Sequence, residues 1–170
     1  LPEILGNMDK ETSTMLRSEY KKKGVEFFLN TKVTEVSAEK VFVEENDKAG
    51  TIEADKILVS VGRRPIIKNL GIENLGIKTQ GAGVKVNEHM QTSHPHVYAA
   101  GDITGFSLLA HTAYREAEVA IHHILGIPDK MSYKAIPVVV YTNPELASVG
   151  KTEEELVANG ESFRVQKIPM

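Results

Sequence analysis

Cysteine and tryptophan are both absent from the 170 residues, and the aromatic residues together make up only 6%. Without Cys there is no disulfide scaffold, no thiolate zinc site and no thiol nucleophile within these residues. No apolar run approaches the ~20 residues of a membrane span, and no basic-then-apolar signal segment opens the chain. A net charge of −3, from 20 Lys and Arg against 23 Asp and Glu, gives no reason to expect nucleic acid or an anionic membrane as partner. What is present is 41% apolar and 25% charged residues, the balance of a soluble globular chain with a real core. The length suits one ordinary domain or one and a half small ones. Leu rather than Met at position 1 points to an excised piece.

The opening stretch reads as a helix followed by a meander. Asn7 or Asp9 caps a helix whose apolar side is Met8, Met15, Leu16 and Tyr20; Lys21, Lys22 and Lys23 complement its dipole, and Gly24 stops it. Val25–Leu29 reads as a short buried strand. Val33 and Val36, then Val41 and Val43, lie on two further strands, with Asn46, Asp47 and Gly50 at the turns. Ile57–Val61 is nearly unbroken in its apolar character and ends at Gly62, which predicts a strand covered on both faces. After Pro65 the chain becomes rich in loops and Gly, and a first domain boundary is placed there. Val84 and Val86 begin a strand, and Val97–Ala100 form another ending at Gly101-Asp102. A helix follows from about Leu108 to Leu125, with Leu109, Ala113, Ala117, Ala120, Ile121 and Ile124 on one face and Arg115, Glu116 and Glu118 elsewhere. Its small Ala residues predict close packing. Pro137–Tyr141 reads as a strand, Asn143-Pro144 as a turn, Thr152–Glu155 as a capping box opening a short helix, and Phe163–Ile168 as one more strand.

Among residues able to carry chemistry, Gly101-Asp102 stands first. A carboxylate just past a buried strand and ahead of a helix lies where open α/β layers bind ligands. Asp102 can accept hydrogen bonds from sugar or polyol hydroxyls; it can equally be a turn Asp that caps the next helix. Leu108, Leu109, Ala110 and His111 open that helix, whose unpaired N–H groups and positive dipole end favour negative charge on a ligand. Arg63 and Arg64 either meet phosphates or make ordinary ion pairs at a domain edge. A metal site is not expected. Pro95 separates His94 from His96, and adjacent His122 and His123 point in different directions along a helix. Neither a GxGxxG loop nor a GxxxxGK[ST] loop occurs, and there is no Ser-centred nucleophile elbow.

Taken in order, Ile57–Pro65, Val97–Asp102 and Leu108–His111 resemble the flavin disulfide reductases, the pyridine nucleotide-disulfide oxidoreductase family that includes glutathione reductase, mercuric reductase and dihydrolipoamide dehydrogenase. The resemblance covers essentially all 170 residues. Leu1–Leu5 with Asp9–Glu11, and Pro137–Glu145, look most like the dihydrolipoamide dehydrogenase branch. It implies a mixed α/β chain in three segments. Residues 1–65 would be the C-terminal half of a Rossmann-like NAD-binding domain, 66–132 the central part of an FAD-binding domain, and 133–170 the N-terminal part of the interface (dimerisation) domain. For FAD it implies that Asp102 meets the ribitol chain and that Leu108, Leu109, Ala110 and His111 set a helix N-terminus against the pyrimidine edge of the flavin. For NAD it implies an adenosine contact at Val33 and a nicotinamide-side Gly at Gly62.

The same resemblance implies that the redox Cys pair, both GxGxxG loops and the catalytic His lie outside these residues. The parent oxidoreductase would oxidise dihydrolipoamide on a lipoyl-carrying protein and reduce NAD, as a cytoplasmic homo-oligomer without nucleic-acid or membrane partners. The isolated chain is expected to be inactive. Two alternatives stand beside this: another flavin disulfide reductase or NADH-dependent flavoenzyme of the glutathione or mercuric reductase type, and a non-catalytic folding or interaction module. Cutting a parallel sheet leaves an edge and uncovered apolar surface, from which dimers or larger oligomers are expected.

Overall fold

Helix α1 (Lys10–Lys22) starts after Asp9 and carries Glu11 in its first turn and Lys21 and Lys22 in its last, matching the helix dipole at both ends. Its N-cap is not the expected side-chain cap. The Asp9 carbonyl accepts the Thr12 hydroxyl at 2.8 Å, while the Asp9 carboxylate accepts the distant Glu153 N–H at 2.7 Å. Met8 and Leu16 are buried as their spacing predicts, but Met15 is exposed and Ser13 takes the inward place. The structure, a computed structural model, describes residues 1–168.

Three antiparallel strands follow as a meander in the order β1 (Lys32–Val36), β2 (Lys40–Glu45) and β3 (Lys48–Glu53). Glu45 pairs with Lys48 across a two-residue turn. Asn46 and Asp47 there have φ of 50° and 61°, the left-handed pair whose twist matches that of the flanking strands.

The chain divides into two compact units. The first joins Leu1–Val59 to the segment from Pro137 onward. Its core is Met8, Leu16 and Leu146, with Ile4, Leu5, Tyr20, Val138 and Val140 packed around it. Leu146 comes from the hairpin of β6 (Pro137–Val140) and β7 (Leu146–Val149), so residues over a hundred positions apart in sequence complete one core. Asn143-Pro144, at the hairpin turn, is a cis peptide. The capping box forms as expected: Thr152 Oγ1 accepts the Glu155 N–H at 3.2 Å, and a Glu155 carboxylate oxygen accepts the Thr152 N–H at 2.9 Å, opening α3 (Glu153–Ala158). An Arg17–Glu3 pair ties α1 to the chain start through two bonds of 2.7 and 2.9 Å. The Arg17 guanidinium is the main reason the Glu3 carboxyl is pulled down to about 2; burial opposes it, and the Ile4 N–H and Thr14 hydroxyl add to the lowering.

The second unit is Ser60–Ile136. It contains β4 (Thr79–Gln80), β5 (Gly83–Val84) and helix α2 (Ala110–Ile124), around a core of Met90, Val119, Ala120 and Met131. Gly83 is required by close approach, because a Cβ there would lie 2.3 Å from the Thr104 carbonyl oxygen.

Four expected strands do not form. Val25–Leu29, Ile57–Val61 and Phe163–Ile168 are not paired into any sheet, and Val97–Ala100 is reduced to a single bridge between Tyr98 and Gln91. Far from being covered on both faces, Ile57–Val61 holds Leu58 90% and Val61 91% exposed. A buried parallel strand draws its hydrogen bonds from neighbours on both sides. All sheets among the described residues are antiparallel, and none supplies such a neighbour. The inward face of α2 also differs from expectation. Thr112, Glu116, Val119 and Ala120 are buried, whereas Ala117, Ile121 and Ile124 face outward.

Two outcomes are expected. Gly83→Ala should cost about 1–3 kcal/mol by overpacking, read by chemical denaturation, while Gly6→Ala, with nothing within 4 Å of its added Cβ, should stay within about 0.5 kcal/mol. Because the Glu3 carboxyl lies lower in the folded chain than its ordinary 4.5, its contribution is full above that value and is lost as pH falls toward 2. The unfolding midpoint of Glu3→Gln should therefore fall less steeply than that of the parent sequence between about pH 5 and pH 2.

Candidate functional site

Within the second unit, the chain reaches Gly101 in an extended course and turns sharply. Gly101 has φ 82° and ψ −158°, a region of backbone space essentially confined to Gly. A one-turn 3₁₀ segment, Asp102–Thr104, follows and ends at Gly105 in the left-handed region. Thr104 closes this turn twice on the Gly101 carbonyl, with its N–H at 3.0 Å and its hydroxyl at 3.0 Å. The outcome is a division of roles between neighbours: Gly101 and Thr104 are buried, and Asp102 is exposed. Asp102 does not cap α2. The N-cap position is Leu109, in extended conformation, with no side-chain cap and no acidic residue in the first turn. Leu108 and Leu109 are half-buried, while Ala110 and His111 are exposed at the helix start.

Beneath the turn lies a residue that the sequence pattern placed off the apolar face of the helix. Glu116 is 0% exposed. One carboxylate oxygen accepts the Gly101 N–H at 2.5 Å; the other accepts the Tyr133 hydroxyl at 2.7 Å and lies 3.4 Å from Thr104 Oγ1. Tyr133 stacks on Phe106 with ring centroids 4.9 Å apart. Burial, and then the hydrogen bond and charge of Glu116, push the Tyr133 phenol well above its ordinary 10. The signal available in sequence was the spacing of Thr112, Glu116, Val119 and Ala120, one helical face interrupted by a single acid.

The far end of α2 holds a second polar network. Arg115 makes two bonds to Asp129, at 2.8 and 2.6 Å, and His122 Nδ1 lies 2.7 Å from the same carboxylate. Arg115 chiefly, with His122, holds the Asp129 carboxyl well below the usual carboxylate range. His123 stacks on His89 at 4.6 Å and meets the Tyr98 hydroxyl at 2.7 Å. Among the described residues no group of three or more His, Cys, Asp or Glu is placed to hold a metal.

The two positions expected near NAD lie in different units, and each is described in its own. Val33 sits on β1 opposite Val43, 55% exposed, beside a register shift between Val33 and Glu35. Gly62 has φ 110° and open space where a Cβ would stand; Arg63 and Arg64 after it are exposed. The structure thus brings together Asp102 and its turn with α2. A cleft of about 660 Å³ lined by Glu39, Lys40, Glu53, Ala54 and Asp55 contains none of the expected site residues.

The chain as a whole is similar to known proteins. Residues 1–121 match the family model described as pyridine nucleotide-disulphide oxidoreductase, and residues 136–170 match the dimerisation domain of the same family. The chain is 41% identical to dihydrolipoyl dehydrogenase 3 of Pseudomonas putida over 99% of its own length and 38% of that protein's. It is 38% identical to the mitochondrial dihydrolipoyl dehydrogenase of Homo sapiens over 98% of its length and 35% of that protein's. Among solved structures it superposes on LpdA from Mycobacterium tuberculosis with a TM-score of 0.77 and 29% identity, covering 89% of this chain and 34% of the other. The flavoprotein disulfide reductase RclA from Escherichia coli gives 0.77 and 26%, covering 92% and 37%. The chain therefore spans a little over a third of the length of the relatives it matches.

The Tyr133 phenol gives this site its own check. Its ionisation is displaced upward in the folded state, so the stability linked to it is complete below pH 10 and is lost as pH rises beyond. Tyr133→Phe should flatten the alkaline fall of the unfolding midpoint, and absorbance titration of tyrosinate should show the missing component only at the alkaline extreme.

Proposed function

Because this chain belongs to the pyridine nucleotide-disulphide oxidoreductase family, we propose that it forms the cofactor-facing middle of a dihydrolipoyl dehydrogenase. Its assigned segments are residues 1–65 from the NAD domain, 66–132 from the FAD domain and 133–170 from the interface domain. The observation that carries the flavin assignment is the Gly101-Asp102 turn, which buries the glycine and leaves the carboxylate outward on the same unit as an α2 start without a side-chain cap. An outward carboxylate is an acceptor for the hydroxyls of a ribityl chain. A helix start with its first N–H groups and positive dipole end suits a ring edge that gains negative charge. These residues fit FAD: Asp102 would hold the ribitol, and Leu108, Leu109, Ala110 and His111 would border the pyrimidine edge. A bound flavin supplies the two-electron chemistry; this chain's residues bind it, orient it and favour its negative charge.

For NAD, Val33 is proposed as the adenosine contact and Gly62 as the backbone position beside the nicotinamide. The positive φ of Gly62 and the empty space at its Cα support a close backbone approach there. The proposed reaction of the parent enzyme takes dihydrolipoamide, carried on a lipoyl protein, and NAD to lipoamide and NADH. The names of the relatives from Pseudomonas putida, Bacillus subtilis and Homo sapiens support that choice. A second reading, another flavin disulfide reductase, draws support from the likeness to RclA. A cytoplasmic homo-oligomer is proposed, the oligomer because residues 136–170 match a dimerisation domain. Relatives occur both in bacteria and among proteins named mitochondrial. Among the described residues no helix is long and apolar enough to cross a membrane.

Relay of electrons through a disulfide requires a thiolate, and these 170 residues contain no Cys. The 170-residue chain is therefore expected to show no dihydrolipoamide-dependent NADH formation and, because it holds FAD only weakly, to leave gel filtration colourless. FAD and NAD, titrated separately, should each bind weakly, with Asp102→Ala abolishing the FAD signal and leaving the NAD signal unchanged. Tight FAD binding that ignores Asp102→Ala would overturn the flavin assignment.

A further inference from the structure

Glu116 is a fully buried acid whose carboxylate accepts from a backbone amide and a phenol, the Gly101 N–H at 2.5 Å and the Tyr133 hydroxyl at 2.7 Å, with Thr104 Oγ1, which donates to the Gly101 carbonyl, 3.4 Å away. Burying a charged group is costly, and hydrogen bonds to each of its oxygens are what make it tolerable. Both oxygens here face donors, an arrangement suited to an acceptor-only group. The geometry shows what the carboxylate holds. Gly101 lies against α2 at two places one turn apart. Its N–H meets Glu116, and a Cβ on it would come within 3.3 Å of the Ala113 Cβ. The next residue is the outward Asp102, and the start of the same helix, three to six residues before Ala113 and Glu116, is Ala110.

We propose that Glu116 is a positioning residue for flavin binding, fixing the Asp102 carboxylate relative to the N-terminus of the helix that carries Glu116 itself. The inference rests on the reading that both groups face the flavin. Two groups that grip different parts of one ligand gain from being held at a set separation before it arrives, because the ordering cost is met in folding rather than in binding. Gly101 has no side chain to anchor it and occupies backbone space open essentially to Gly alone. Its amide is therefore the natural handle, and a buried carboxylate is the strongest neutral-donor acceptor to grip it. Tyr133 holds the other oxygen and so fixes the rotation of the carboxylate, with its own ring seated on Phe106.

The test compares the full chain with Glu116→Gln, Tyr133→Phe and Asp102→Ala, using two readouts. The first is the proton chemical shift of the Gly101 amide by NMR without flavin. The second is the FAD dissociation constant from quenching of flavin fluorescence. In Glu116→Gln the charged acceptor of the Gly101 N–H becomes a neutral amide oxygen, with the NH₂ turned to the Tyr133 oxygen, so the Gly101 amide should move upfield and FAD affinity should fall about tenfold, the loss expected of one charge-assisted hydrogen bond. Tyr133→Phe leaves the carboxylate intact but frees its rotation, with a smaller upfield movement and about a threefold loss; it carries the test should Glu116→Gln not fold. An unmoved Gly101 amide in both variants overturns the proposal. So does a moved amide with unchanged FAD affinity while Asp102→Ala weakens FAD, an outcome that leaves the flavin reading standing. If Asp102→Ala also leaves FAD affinity unchanged, the flavin reading fails and the positioning role fails with it.

Discussion

A carboxylate taken fully out of water needs hydrogen-bond partners fixed around it, and in the Ser60–Ile136 unit much of the local backbone is arranged to provide them. Glu116 stands next to Val119 and Ala120, which face the Met90 and Met131 side chains, so the polar cluster and the apolar core share one helix face. The Tyr133 hydroxyl lies 2.7 Å from Glu116 and 3.9 Å from the Met90 sulfur, at the boundary between them. Thr104 belongs to the same system from the opposite side, because its carbonyl is the atom that leaves no room for a Cβ on Gly83. Removing the acid would leave an amide and a phenol unsatisfied in a poorly solvated place, a cost of about 1–3 kcal/mol for each such group. The turn at Gly101, the strand at Gly83 and the segment carrying Tyr133 thus meet around one side chain.

The parts of the fold legible in sequence were those determined by neighbours along the chain. The capping box at Thr152 needs only residues three apart, and the left-handed pair Asn46 and Asp47 needs only its own side chains and the strands beside it. A turn at Gly101-Asp102 was legible too, because a Gly-Asp step between an apolar run and a helix signals a change of direction. Strands were harder, for a physical reason. A strand is a relation between segments, and a run such as Ile57–Val61 carries the composition of a covered strand without any means of supplying its partners. Exposed Leu58 and Val61 show composition and context parting ways.

Glu116 was missed for the opposite reason. An acid on an amphipathic helix reads as solvent-facing, and what turns it inward here are groups at Gly101 and Tyr133, 15 and 17 residues away in sequence. The Arg115–Asp129–His122 network was invisible on the same grounds: each member alone is an unremarkable surface residue, and only the return of the chain after α2 brings Asp129 under the helix. The three segments read from sequence and the two units of the structure divide the chain differently. Sequence texture follows changes in local character, whereas a core is defined by which side chains share it, and Leu146 shares its core with Met8 and Leu16.

That shared core sets an order of events during synthesis. The Ser60–Ile136 unit is continuous, so everything it needs has left the ribosome once Ile136 has emerged. The residues ahead of it cannot close their core until Leu146 has been made. At roughly 5–20 residues per second, the stretch from Leu16 to Leu146 takes about 6–26 seconds to make, and the intervening unit is complete just before that wait ends. Over that interval Met8 and Leu16 lack the Leu146 side chain that completes their core.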